Sequence, residues 1–298
     1  MKLKKLIIIV ILIVFTIYFG FQVKFHYKIN GDYTIIQTEN TQDNNLPNYI
    51  NQKYPIVINK TLEKDSALSN LSIDVLQQLC KGKFALFNIQ NDPNEFLNPS
   101  LVNIDAIPSF ISNNNRWKCI LNHRFLKKYQ MFNEINDVLN PVLPKLTLKT
   151  KINLVASSKN YIEPLQYFHD YKTVLLQLSG TKIVRLFSPK MANLLYLDDK
   201  YNPLYNNSKI NIWENHDKLY KKFPKLKETE FIDIILRPGN SLIIPNYWLF
   251  STKNIDNNVT VMGNVNTIFS YFINIPNNML NIAHEIGVYK NNKCYCHN

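Results

Sequence analysis

The chain is short of glycine, with 7 in 298 residues, and short of acid, with 22 Asp and Glu against 34 Lys and Arg. That imbalance gives a net charge of +12, yet no run of basic residues follows the N-terminus, which excludes the continuous basic stripe that grips nucleic acid. No nucleic-acid partner is expected. An Asn-, Lys- and Ile-heavy vocabulary accompanies the glycine shortage and makes part of the charge a compositional bias. Cysteine is scarce too. Cys80 and Cys119 stand far apart, and Cys294 and Cys296 sit beside His297 in the tail, so no disulfide pairing can be read and the tail is at most a weak metal signal. The absence of an internal repeat excludes solenoids and propellers. Apolar residues, at 46%, and aromatic ones, at 12%, are by contrast plentiful enough for a well-buried core.

Charge is also missing from one long stretch near the start. Leu6 to Val23, LIIIVILIVFTIYFGFQV, is about the length a bilayer-crossing helix needs. A cleaved signal peptide would have a shorter apolar core and a small-residue exit, whereas this run continues through Phe15, Tyr18, Phe19 and Phe21 without one. The expectation is an uncleaved signal anchor, in contact with membrane lipid through Leu6–Val23. Lys2, Lys4 and Lys5, within residues 1–5, hold the N-terminus in the cytoplasm and place the rest of a single-pass protein on the lumenal or external side. Lys24 and Lys28 add positive charge to the other flank. Sequons at Asn59, Asn70, Asn206 and Asn258 become glycan acceptors in a secretory lumen.

Residues 24–53 are polar and turn-rich and read as a stalk, with the folded domain occupying 54–298. In that domain PIVIN reads as a strand, and LSIDVLQQLC as a helix with Leu71, Val75, Leu76 and Leu79 at helical spacing. FALFNI reads as a strand and HRFLKKYQMFNEINDVLNPVLPKL as a helical region closed by Pro141 and Pro144. From Lys151 the character changes to short apolar runs between turns: KINLVAS, TVLLQLSG, TKIVRLFSP, FIDIILRPGNSLIIP, WLFSTKN and NVTVMGNVN. Such spacing argues for a closed all-β sandwich or barrel. A C-terminal helix, NNMLNIAHEIGVY, carries Met279, Leu280, Ile282, Ala283 and Ile286 on an apolar face expected to pack on the barrel or to meet a protein partner or a second copy.

The order of these pieces resembles the JmjC-like cupins. YPIVINKTLEKDSALSNLS looks like their opening strand, and INLVASSKNYIEPLQYF like their first barrel strands. LLQLSGTKIVRLFSP is similar to their L-L-x-Q-V-x-G-x-K-x-x-x-L-F-x-P signature, and FIDIILRPGNSLIIPNYW to x-x-x-L-x-P-G-D-x-L-x-I-P-x-x-W. The resemblance runs from about Tyr54 to Phe272. It implies a mainly β fold, a double-stranded β-helix (jelly-roll or cupin) barrel with flanking helices, used by Fe(II)- and 2-oxoglutarate-dependent dioxygenases.

Those enzymes hold Fe(II) with two His and one carboxylate and leave adjacent positions free for cosubstrate and oxygen. In the family two ligands follow T-P-L as H-x-D. Here the same place reads Glu163-Pro164-Leu165-Gln166-Tyr167-Phe168, so Gln166 stands for the His and Phe168 for the carboxylate. The distal family pattern I-P-x-x-W-x-H reads Ile244 to Phe250, with Phe250 at the His position. His169 and Asp170 follow at once, in a segment one residue longer than the usual spacing; a bulge could turn His169 inward, or a shifted register could pair Tyr167 with His169. Lys182, after the strand-end Gly, stands where the family pairs a basic residue with the far carboxylate of 2-oxoglutarate, and Thr173 and Arg185 are nearby polar candidates. The expectation is a membrane-anchored pseudoenzyme, a binding or structural module without iron. The alternative is an active protein hydroxylase that uses Fe(II) and 2-oxoglutarate at an unconventional site around His169 and Asp170. Trp213, His216 and Tyr220, in the insert between the two signatures, are read as anchors of a surface loop.

Overall fold

The computed structural model describes residues 2–63, 66–90, 99–198, 205–208 and 210–289, so the tail with Cys294, Cys296 and His297 lies outside the described residues. The chain opens with the 26-residue helix α1 (Lys2–Tyr27), long and apolar enough over Lys4–Tyr27 to cross a membrane. After it come β1 (Ile36–Asn40), α2 (Leu46–Ile50) and β2 (Ile56–Lys60). This corrects the stalk expected over 24–53. β1 pairs in parallel with β2, Ile36 opposite Ile56, and Leu46 and Ile50 are 1% and 2% exposed in the main core. A few apolar residues spaced through a polar segment suffice to dock it, because each fully buried Leu or Ile contributes about 1.5–3 kcal/mol.

Next come α3 (Ile73–Leu79), β3 (Phe84–Gln90), β4 (Ser100–Asn103), α4 (Ile107–Ser112), β5 (Arg116–Leu121), α5 (His123–Lys128) and α6 (Phe132–Leu139). Ser72 starts α3 by accepting from the Val75 N–H, and Asn122 starts α5 by accepting from the Phe125 N–H. The expected helical region of 123–146 is broken between α5 and α6, where Gln130 adopts φ +61. The barrel strands follow: β6 (Thr147–Ser157), β7 (Gln166–Phe168), β8 (Lys172–Ser179), β9 (Lys182–Phe187) and β10 (Tyr205–Asn207). Helix α7 (His216–Lys222) precedes β11 (Ile232–Leu236), β12 (Ser241–Pro245), β13 (Leu249–Asn254) and β14 (Asn258–Thr267). The described part ends with α8 (Ile268–Ile273) and α9 (Ile275–Glu285).

Two sheets face each other, one ordered β1-β2-β12-β8-β14-β6-β5-β3-β4 and the other β10-β7-β13-β9-β11. Alternation of side chains divides the core in two. On β8, Val174, Leu176 and Leu178 point to the helices, where Leu76, Ile107, Leu126, Ile135 and Leu139 cover them. Leu175 points the other way, into the space between the sheets, with Val57, Val184, Leu186, Ile234 and Leu242. The insert after β9 covers the outer face of the smaller sheet through Ile210, Ile212, Leu219 and Leu226. Gly180 turns β8 into β9 at φ +70, and a Cβ there would run into the Asn257 carbonyl oxygen, which accounts for glycine in that signature.

Two further expectations change. Asn258 is fully buried, so its sequon is closed in the folded chain, whereas Asn70 is exposed. On α9 and at its C-cap, Met279, Ile282 and Ile286 are 65%, 56% and 68% exposed and do not pack on the barrel. Helical spacing placed them on one stripe, and that stripe is left open to solvent.

Candidate functional site

At one end of the space between the sheets, β7 meets β13. β7 has only three residues, confined between Pro164 and a bend at residues 169–171, and it touches β13 through a single register pair, Phe250 opposite Gln166. Gln166 and Phe168 therefore share one strand face and Tyr167 takes the other. Phe168 packs into the interior, with its ring centroid 5.9 Å from that of Phe250 and the planes 35° apart. Phe250 is 2% exposed. The three positions that the resemblance equates with metal ligands are thus brought together, and they present one amide and two phenyl rings.

His169 and Asp170 do not join them. The His169 ring lies 5.4 Å from that of Tyr167 and 6.0 Å from that of Tyr247, on the face opposite Phe168, and its Nε2 is 2.9 Å from Asn206 Oδ1 on β10. Burial lowers its pKa, with the Asn206 bond and the nearby Asp170 charge acting against that shift. Asp170 Oδ1 instead accepts from the side-chain amide of Asn266 at the end of β14, whose own Oδ1 takes the Tyr171 N–H at 3.2 Å. Neighbours in sequence, the two side chains are held by strands on opposite sides of the opening. A facial-triad iron site needs three donors on one face of the metal. Gln166, Phe168 and Phe250 offer one amide oxygen among them, and the ring contact fills the gap, so the set does not fit Fe(II). Among the described residues no three His, Cys, Asp or Glu side chains gather as a metal group.

The cosubstrate candidates lie deeper. Lys182 pairs with Asn254 at the far end of β13, four residues from Phe250, or roughly 13 Å along the strand. It is 5% exposed, on the interior face with Val184 and Leu186, not on the solvated outside. Burial lowers its pKa to about 8, with Glu163 opposing the shift and Lys118 adding to it. Glu163, which takes the family's Thr position, forms an ion pair of 2.7 Å with Lys118. Thr173 is 4% exposed on the Leu175 face and donates to Asn264 Oδ1 at 3.4 Å. Arg185 points outward, bonded through two nitrogens to Asp233 at 2.8 Å and stacked on Trp213 and Phe231. Trp213 also donates to Ser251 Oγ at 2.7 Å, and His216 Nδ1 lies 3.0 Å from the Tyr220 hydroxyl. These contacts anchor the insert to β9 and β13.

Sequence reasoning missed two features. One is a polar flank of the interior, where Thr260 donates to Gln177 Oε1 at 2.8 Å and Asn254 to Ser157 Oγ at 2.9 Å. The other is a pair of buried lysines. Lys172 is fully buried and donates to the Gln52 carbonyl; Lys53 is 5% exposed and donates to the His26 carbonyl at 3.1 Å and to Asn246 Oδ1. Burial brings Lys53 down to about 7 and holds Lys172 well below the usual lysine range, with the Lys53 charge adding to it. No local sequence pattern signals either lysine, because both are buried by segments distant in the chain.

The lysines make stability pH-dependent with a definite sign. Their folded pKa values lie below the unfolded value near 10.4, so between the two the unfolded chain binds more protons and stability rises with pH. Between pH 7 and 8, below the range where unfolded Cys80 and Cys119 lose protons, the detergent-solubilised chain should gain about 1–2 kcal/mol. Lys172→Met should stabilise it at pH 7 by about 1–3 kcal/mol and flatten that rise. Urea melts at the two pH values read both effects; an unchanged midpoint would contradict them.

The sheet order and the paired signatures bear on kinship as well as geometry. The cupin-like domain family matches residues 104–271, more than half of the chain. The chain belongs to the cupin-like domain family. Two curated relatives match it over part of their length. JmjC domain-containing protein D of Dictyostelium discoideum is 28% identical over 218 residues, which covers 59% of this cupin and 48% of the relative. The lysine-specific demethylase JMJ30 of Arabidopsis thaliana is 26% identical over 144 residues, covering 46% of this cupin and 32% of the relative. The cupin thus spans less than half the length of either relative.

Proposed function

We propose that this cupin is a membrane-anchored binding or structural module that has lost iron-dependent catalysis. The observation that carries the reading is the Phe168–Phe250 ring contact at two of the three ligand positions, with Gln166 opposite Phe250 at the third. The substitutions lie on two separate strands, so one local change does not account for them. Without a metal to hold the keto-acid end of 2-oxoglutarate, Lys182 and Thr173 retain only a single charge-assisted contact and a hydroxyl, and binding of the free acid should be weak. The competing hydroxylase reading needs His169 and Asp170 on one metal, and both are engaged with different partners. Anaerobic Fe(II) titration separates the readings.

The anchor half of the proposal rests on α1, an apolar helix exposed along its length from Leu6 to Ile17. With Lys2, Lys4 and Lys5 retained in the cytoplasm, the cupin lies on the lumenal or external side. The full-length chain should stay with the membrane pellet after alkaline carbonate, and a chain lacking residues 1–23 should be released. Full-length protein in the supernatant would sink the anchor.

A further inference from the structure

Where α1 leaves the cupin there is a cleft of ≈ 390 Å³. Tyr18, Gln22 and Phe25 of α1 form one wall, and Lys145, Leu146 and Phe269 stand across from them. The rings of Tyr18 and Phe269 meet edge to face at 5.3 Å, which fixes the helix against α8. Tyr18 lies inside the apolar run and Phe25 beyond its end, a rise of roughly 10 Å along the helix. On the anchor reading, the cleft therefore straddles the level at which α1 passes from hydrocarbon to headgroups.

The walls have the two characters of such a boundary. No carboxylate lines the cleft, while Lys145 is exposed at its rim and Lys24 and Lys28 are exposed at the same end of α1. Behind the wall Lys53 Nζ stands 5.3 Å from the Phe25 ring and 5.1 Å from the Tyr171 ring, hydrogen-bonded to two neutral oxygens. The apolar side continues outward through Leu146, Leu148 and Phe272, which are 63%, 51% and 51% exposed. A free anion would use the lysines and leave that surface in water. An acyl chain alone would use the surface and leave the lysines unmatched.

We propose that this cleft binds one anionic phospholipid of the leaflet that α1 enters, with its phosphate on Lys145 and its acyl chains along Leu146, Phe269 and the apolar run of α1. The assignment rests on the anchor reading. It gives the cupin a fixed seat on the bilayer, since one lipid would bridge helix and domain.

The test uses the full chain in nanodiscs of phosphatidylcholine with and without phosphatidylglycerol, followed by native mass spectrometry of the released protein. One phosphatidylglycerol should be retained per chain, and Lys145→Glu should lower its retention about tenfold, as loss of one charge-assisted contact would. Lys159→Glu, exposed at a different cleft, should leave retention unchanged. Equal retention of the two lipids, or equal retention by the wild type and Lys145→Glu, overturns the proposal. So does displacement of the lipid by equimolar inorganic phosphate, which would make the site one for free phosphate. A chain recovered outside the discs overturns the anchor reading and this one with it; a chain in the discs without lipid preference overturns this one alone.

Discussion

Anaerobic titration of the detergent-solubilised chain with Fe(II) is expected to show no stoichiometric binding and no 2-oxoglutarate turnover. The reason is the donor set. Fe(II) in a facial triad is held by two imidazoles and a carboxylate, and an amide with two phenyl rings replaces none of their charge and little of their basicity. To recruit His169 the chain would have to break its 2.9 Å contact with Asn206 and carry the ring past Tyr167 to the other face of β7. To recruit Asp170 it would have to release Asn266, which also holds the Tyr171 N–H and accepts from Ser270 Oγ at 3.2 Å. His169→Ala and Asp170→Ala should therefore leave the iron titration flat and cost about 1–3 kcal/mol each through the hydrogen bonds lost. Tight one-to-one binding abolished by either substitution would instead make that pair the working site and end the pseudoenzyme reading.

The sequence carried the barrel well because its signatures state local physical needs. Gly180 is demanded by a positive φ beside a backbone oxygen, and the near-continuous apolar run of TVLLQLSG by a strand buried on both faces. The same signatures set the register, which is why Gln166 and Phe250 could be matched before their pairing was known. What stayed hidden depends on segments far apart in the chain. Lys172, just before the expected strand TVLLQLSG, shows no sign of burial until Gln52 and Lys53 are seen to cover it, and residues 24–53 read as a stalk until Leu46 and Ile50 are seen in the core. Helical spacing put Met279, Ile282 and Ile286 on one stripe but could not say that the fold leaves it exposed. The direction of the His169 and Asp170 side chains was equally out of reach, because it is set by Asn206 and Asn266 on other strands.

Phe250→Ala is expected to destabilise the chain by about 3–5 kcal/mol, the cost of removing a fully buried ring and leaving its cavity. In a domain of this size that lowers the melting midpoint by roughly 5–10 °C. The ring lies against Phe168 and within the cluster formed by Trp248, Leu186 and Leu242, with 2% of its surface exposed, so little solvent or slack is available to relax the hole. A metal-ligand position behaves the other way, since its side chain spends its contacts on the ion and its loss removes metal and activity more than packing. Phe168→Asp should be worse than Phe250→Ala, because it puts an unpaired carboxylate among the same apolar groups. Re-creating the family's ligands at Gln166, Phe168 and Phe250 together would then unfold the chain before it could bind iron, unless the metal's binding energy offset the buried charge. A Phe250→Ala chain that melts within a degree or two of wild type would show that the rings are not packed as core, and the case for a filled, metal-free opening would lose its main support.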